Sequence, residues 1–236
     1  MKVEIWSDIA CPFCYIGKAH FEKALASFAS KADVEVIYKS FQLDPEYQNT
    51  EKETVYTHLS TKKGMSLSQV TEMTAQVASM AAQTGLTIDF DSNIPANTKD
   101  AHRLIHLAAS QNKADIVLNA LFEAHFTNGE DLENIAVLKQ IGSHCGLTEA
   151  QLDNLFTTET FAYDVTQDIL ESRNLGIRGV PFFLFNRKYA VSGAQPVEVF
   201  SGALGTSFSE WQKENPPLVS LNTTDAGICS DGGCEI

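Results

Sequence analysis

The chain has no apolar run close to the ~20 residues a helix needs to span a bilayer. Its opening, Met1-Lys2-Val3-Glu4-Ile5-Trp6, has neither the apolar stretch nor the small-residue cleavage site of a secretory leader. A cytoplasmic location is therefore expected. Basic residues are scarce: 17 Lys and Arg stand against 30 Asp and Glu, a formal net charge of -13. Such a surface repels phosphate backbones and anionic lipid, since both need clustered cations, so neither nucleic acid nor membrane is an expected partner. Cysteine is sparse as well, and five in 236 residues are too few and too unevenly spaced for the disulfide framework of a secreted scaffold. Seven prolines and fourteen glycines give no fibrous or low-complexity tract, and there is no repeat of solenoid period. What remains is an ordinary globular composition, 44% hydrophobic, able to bury one sizeable core or one core with a dependent insertion.

Residues 3–7 alternate apolar and polar positions, and beyond Cys11-Pro12-Phe13-Cys14 apolar residues recur at helical spacing at Ile16, Ala19, Phe21, Leu25 and Phe28. The β-branched segment 34–41 follows, so the first forty residues predict a β-α-β unit whose helix is the crossover of a parallel pair. From about 51 to 175 the pattern is helical only, with seven helices expected near 52–63, 67–84, 98–111, 114–127, 133–145, 148–157 and 160–175. Strand signals return at 180–185 and 189–192, joined by the polar Asn186-Arg187-Lys188, and Pro196 opens a last helix to about 214. Pro216-Pro217 stops it, and the polar remainder is expected to be a mobile tail.

The five cysteines fall as a pair at 11 and 14, a single at 145 and a pair at 229 and 234. In a reducing compartment close pairs are more often catalytic or metal-binding than structural. A bare CxxC is weak evidence, but this one lies where a strand hands over to a helix. There the unpaired N–H groups and positive dipole end favour a thiolate on the first sulfur. Cys11 is then the expected nucleophile, and Cys14, one turn along, the residue that resolves its mixed disulfide. Pro12 suits a first helical turn, where its missing N–H is not needed. Far along the chain, Gly179-Val180-Pro181-Phe182-Phe183 puts a proline at the mouth of a strand, which marks an edge or a cis turn that leaves backbone free for a bound peptide.

Three motifs in this order carry a resemblance: Trp6-Ser7-Asp8 leading into Cys11-Pro12-Phe13-Cys14-Tyr15-Ile16-Gly17; Asn97-Thr98 with Ala101-His102-Arg103-Leu104; and Gly179-Val180-Pro181-Phe182-Phe183. Over residues 2–213 the chain resembles the DsbA-like thioredoxin-fold proteins of the FrnE subfamily. The resemblance implies an α/β thioredoxin-like fold interrupted by an all-helical insertion. Its expected units are 1–45 plus 165–215 for the thioredoxin-like part, 46–164 for the insertion and 216–236 for the tail. It further implies that Cys11 and Cys14 are the redox pair, that Pro181 is a cis proline facing them, and that Pro12, Phe13, Val180, Asn97 and Thr98 meet substrate. Cys229 and Cys234 would form a secondary pair. The expected activity is thiol–disulfide exchange, or isomerisation, with protein or peptide thiols and a cellular thiol reductant. No metal or cofactor is expected, with room for glutathione as a co-substrate. Pro12-Phe13 in place of the Pro-His of periplasmic relatives removes one donor to the thiolate, so a less oxidising couple is expected.

Other readings attach to the same residues. Kappa-type glutathione transferases and 2-hydroxychromene-2-carboxylate isomerases share this architecture but usually carry serine where Cys11 stands. A metal-binding or chaperone-like module is a third reading, with Cys11 and Cys14 as half of a zinc site. Cys145 is expected to be a buried free thiol, because neighbouring His144 points elsewhere on a helix. His102 and His106 are expected in core or pocket-lining roles, having no carboxylate motif beside them, and Asn97-Thr98 as a helix N-cap. Met65, Met73 and Met80 are expected to pack.

Overall fold

The computed structural model describes residues 1–49, 53–216, 229–230 and 233–234. It opens with β1 (Lys2–Ser7), α1 (Pro12–Ala26) and β2 (Glu35–Ser40). Seven helices follow: α2 (Val55–Lys63), α3 (Leu67–Thr84), α4 (Lys99–Ala109), α5 (Ala114–Phe126), α6 (Ile135–His144), α7 (Glu149–Thr157) and α8 (Ala162–Asn174). Then come β3 (Phe182–Phe185), β4 (Tyr189–Ser192) and α9 (Val197–Glu214), and the short strands β5 (Cys229–Ser230) and β6 (Gly233–Cys234). This is the expected α/β arrangement. The remaining tail residues, with the mobility expected of them, lie outside the described residues.

The main sheet runs β2-β1-β3-β4, with β1 parallel to β2 and antiparallel to β3. β1 is central because every residue after Lys2 is buried, so both of its faces are covered. Val3 and Ile5 point to one face, where Phe21 of α1 and Phe200 and Leu204 of α9 meet Phe183 and Phe185. Trp6 and Leu184 point to the other, and the Trp6 indole N–H donates to the Asp168 carbonyl of α8 at 3.1 Å. Glu4 is buried on that second face and accepts from Arg187 Nε at 2.8 Å. That bond anchors the β3–β4 turn, where Asn186 (φ 48°) and Arg187 (φ 56°) both take the left-handed conformation.

The helical block has its own core, and it reaches into the first turn of α1. Cys11, Cys14 and Ile16 pack with Leu104, Phe122 and Phe126 of that block, not with the cluster under the sheet. Tyr15 stacks on Phe122 at 4.9 Å between ring centroids. Arg103, in α4, is 4% exposed; its guanidinium donates to the Thr160 carbonyl at 2.9 Å and to the carbonyls of Leu155 and Thr158 at the end of α7. It therefore satisfies helix-end acceptors that would otherwise be orphaned.

Helix starts with side-chain signals hold closely: Ser66 with Gln69 and Thr148 with Gln151 form capping boxes. Other expectations are corrected. β3 begins at Phe182, not Val180, because Pro181 has no N–H for the ladder. Met80 is exposed, and Cys145 is half-buried at the end of α6. Burial raises the Cys145 thiol above its ordinary value, with Lys113 opposing.

Candidate active site

Cys11 is the N-cap residue of α1, Pro12 is at its first position, and the Cys14 N–H bonds to the Cys11 carbonyl at 2.9 Å. Both cysteines are buried free thiols. The Val180–Pro181 bond is cis, as the resemblance implied. It aims the Val180 carbonyl at the Cys11 Sγ, 3.6 Å away. Two sequence-distant motifs thus meet at the end of α1. Their approach requires a glycine one turn further along. A Cβ on Gly17 would lie 2.9 Å from Pro181 Cγ and 3.3 Å from Ala194 Cα.

The two sulfurs have different surroundings. Cys14 is fully enclosed, and burial pushes its thiol well above the ordinary value, reinforced by the adjacent Cys11 sulfur. The Ser7 hydroxyl and the Asp8 N–H, which donates to Cys14 Sγ at 3.5 Å, oppose this weakly. Cys11 instead lines an open cavity of about 420 Å³. Pro12 and Phe13 line it too, Phe13 being 39% exposed.

Behind Cys14 lies a buried carboxylate whose role the sequence did not reveal. Asp8 is 1% exposed and accepts from Leu43 N and Thr98 Oγ1, both at 2.7 Å. His102 Nε2 lies 3.4 Å from Asp8 Oδ1, in ion-pair range but without hydrogen-bond alignment. Burial raises the Asp8 carboxyl, but His102, the Leu43 N–H and the Thr98 hydroxyl outweigh it and hold it below the usual range.

His102, expected in a core or pocket-lining role, is buried, and His106 Nε2 lies 3.1 Å from Asp168 Oδ2, a carboxylate that no sequence motif beside the histidines announced. Thr98 opens α4 as expected, but its hydroxyl turns to Asp8 and makes no cap bond. Asn97 Oδ1 accepts from Lys99 N at 2.9 Å, while its Nδ2 donates to the Pro45 and Tyr47 carbonyls. Thr98 lines the cavity and Asn97 is not among the lining residues. The cavity also brings in Tyr47 and His125, neither of which carries a sequence signal. Among the described residues no group of three or more His, Cys, Asp or Glu could hold a metal ion, and no helix is long and apolar enough to cross a membrane. Cys229 and Cys234 are opposite each other in the β5–β6 ladder.

Comparison with known proteins agrees with this geometry. The family model for a DSBA-like thioredoxin domain matches residues 2–205. Uncharacterized protein YwbO of Bacillus subtilis (strain 168) is 27% identical over 213 residues, 86% of this chain and 96% of YwbO. The crystal structure of the probable DsbA oxidoreductase SCO1869 from Streptomyces coelicolor is 37% identical, with a TM-score of 0.84, and covers 100% of this chain and 99% of its own. The cytosolic disulfide reductase DsbM from Pseudomonas aeruginosa with GSH shares the fold, with a TM-score of 0.63 at 16% identity over 89% of this chain and 100% of DsbM. The extent of the family match and the end-to-end likeness to SCO1869 establish that the chain belongs to the DSBA-like thioredoxin domain family.

Proposed function

We propose that this protein exchanges disulfides with protein or peptide thiols through Cys11 and Cys14, and that it does so in the cytoplasm. The observation that carries the reading is the opposition of Cys11, at the start of α1, to the carbonyl of Val180 before cis Pro181. As a reductant, the Cys11 thiolate attacks a substrate disulfide, one substrate thiolate leaves, and a Cys11 mixed disulfide forms. Cys14 then attacks the Cys11 sulfur, forming the Cys11–Cys14 bond and releasing the second substrate thiol. Oxidation of a substrate runs the same steps backwards.

The Val180 carbonyl faces the Cys11 sulfur, and Pro12, Phe13 and Thr98 line the cavity that Cys11 also lines; these residues, with Pro181, are assigned to substrate contact. Asn97 is assigned to shaping the 45–47 segment beside it. A cellular thiol such as glutathione would restore the dithiol; DsbM, on the same fold, is a glutathione-bound reductase. The tail cysteines Cys229 and Cys234 are assigned to a secondary pair serving the first, a reading supported by their cross-strand register. The presence of both Cys11 and Cys14 favours this reading over a glutathione-dependent transferase or isomerase. The test is the reduction potential of the Cys11–Cys14 couple, measured with insulin reduction and scrambled-substrate refolding. A dithiol that turns over neither substrate overturns it.

A further inference from the structure

Once Cys11 carries a mixed disulfide the cycle depends on Cys14, and its surroundings make that sulfur hard to ionise. Cys14 is buried, and burial together with the adjacent Cys11 sulfur raises its thiol well above the ordinary value. The start of α1 gives it little help. A helix terminus acts within its first turn, and the Cys14 N–H is already bonded to the Cys11 carbonyl at 2.9 Å. A thiolate in such a place needs donors of its own, because an unpaired buried charge is costly.

Two groups at the end of β1 are placed to supply them. Side chains alternate along β1, so Ser7 shares a face with Val3 and Ile5, the face on which Phe21 of α1 packs. Cys14 stands two helical turns before Phe21, on the side of α1 that turns toward Ser7. Ser7 is buried at the end of the parallel ladder opposite Ser40, and its carbonyl accepts from Phe41 N at 3.1 Å, which fixes it beneath the helix. Its hydroxyl bonds the Cys14 sulfur and favours the ionised form. The next residue adds a second donor, the Asp8 N–H, 3.5 Å from Cys14 Sγ. The rest of Asp8 holds that N–H in place: its carboxylate accepts from Leu43 N and Thr98 Oγ1, both at 2.7 Å, and its carbonyl accepts from Cys11 N at 3.1 Å.

We propose that the Ser7 hydroxyl and the Asp8 N–H form a donor pair that stabilises the Cys14 thiolate, and that this pair sets the rate of the resolving step. The proposal rests on the disulfide-exchange reading of Cys11 and Cys14 and adds to it two groups that touch a reacting sulfur. In the reducing direction Cys14 gives up its proton and its sulfur bonds to Cys11 Sγ. The bond between Cys11 and the substrate sulfur breaks, and the released substrate thiolate takes up a proton to end as the thiol. In the oxidising direction a substrate thiolate attacks Cys11, and Cys14 is the leaving group whose charge the same two donors receive. The first attack in the reducing direction is made by Cys11, whose sulfur faces the Val180 carbonyl instead. The donor pair therefore acts on one half of the cycle.

The test uses the full chain with Cys145, Cys229 and Cys234 changed to serine, so that only Cys11 and Cys14 react. One equivalent of dithiobis(nitrobenzoate) is mixed with the reduced protein: Cys11 releases one coloured thiolate as it forms the adduct, and Cys14 releases the second as it closes the internal bond. Ser7→Ala should leave the first release unchanged and slow the second about tenfold, the size of one hydrogen bond to a charged group. The adduct should then accumulate in acid-quenched samples read by mass spectrometry. Ser7→Thr, which keeps a hydroxyl, should restore the second release. In the Cys11→Ser background the Cys14 Cβ carbon resonance should begin to move at higher pH in Ser7→Ala, and the Asp8 amide proton should follow the same titration. Equal slowing of both releases, no slowing of either, or a Ser7→Thr as slow as Ser7→Ala overturns the donor pair, and so does an Asp8 amide that ignores the Cys14 titration. A protein with Ser7 intact that never releases the second thiolate overturns the exchange reading, and the carbon titration then decides the donor pair by itself.

Discussion

The sulfur of Cys11 lies 3.6 Å from the carbonyl oxygen of Val180, a residue 169 positions away in the chain. As a thiol, Cys11 donates to that oxygen; as a thiolate or a mixed disulfide it has no proton to give. The carbonyl is then free to accept an N–H from an incoming peptide. Ionisation of the attacking sulfur and exposure of a substrate acceptor are in this way one event.

The unequal surroundings of the two thiols give the first prediction. Enclosure raises Cys14, so near neutral pH it is protonated while Cys11 is presented to the cavity. Cys14→Ser, which keeps the cavity-lining Cys11, should be alkylated by iodoacetamide faster than Cys11→Ser, whose remaining thiol is enclosed and pushed up by burial. Cys14→Ser should also accumulate mixed disulfides, whereas Cys11→Ser should form none. Equal alkylation rates, or equal trapping, would refute the division of roles.

A second prediction concerns the packing that brings the cysteines and the proline loop together. Any side chain at Gly17 meets Pro181 Cγ at 2.9 Å and the backbone of Ala194 at 3.3 Å. Gly17→Val should cost about 1–3 kcal/mol, the usual penalty of overpacking. It should also slow insulin reduction, because the loop carrying Val180 must move off Cys11. A variant with wild-type denaturation midpoint and wild-type turnover would show that the contact is slack.

Much of the fold was legible because its signals are local. The alternation in 3–7, the capping residues Ser66 and Thr148 and the left-handed turn at Asn186-Arg187 each act within a few residues. The Cys11–Pro181 pairing was legible only through motif order. What escaped are contacts that depend on the helical block folding over the end of α1. Nothing near His102 in sequence announces Asp8, and nothing near Tyr47 or His125 announces a shared cavity. Asn97 and Thr98 read as a cap, but the hydroxyl of Thr98 is claimed by a carboxylate from the other end of the site.

That carboxylate gives the third prediction. Asp8 accepts from Leu43 N and Thr98 Oγ1, and an asparagine there would set its NH₂ against one of these donors. Asp8→Asn should lower stability at pH 7 by about 1–3 kcal/mol, the cost of a buried unpaired group. Because the folded Asp8 carboxyl titrates below its unfolded value, its contribution is present above that value, near ~3.9, and is lost as pH falls through the folded one. Urea denaturation at pH 7 and pH 3 should therefore show the gap between wild type and Asp8→Asn narrowing in acid. A gap independent of pH would mean that the charge on Asp8 contributes nothing.

The fourth prediction has the same direction with pH but another origin. His125 is 2% exposed, and burial lowers it from 6.5 to about 4, with Asp8 opposing. Between these values the unfolded chain binds a proton that the folded chain refuses, so stability rises with pH across this window and falls on acidification. A depression of that size corresponds to about 3 kcal/mol lost between pH 6.5 and pH 4. Thermal denaturation followed over that range should show a steep decline in wild type and a shallower one in His125→Phe, which has no proton to take up. Parallel slopes for the two proteins would show that the imidazole titrates as freely in the fold as in the unfolded chain, and that it is solvated by the cavity.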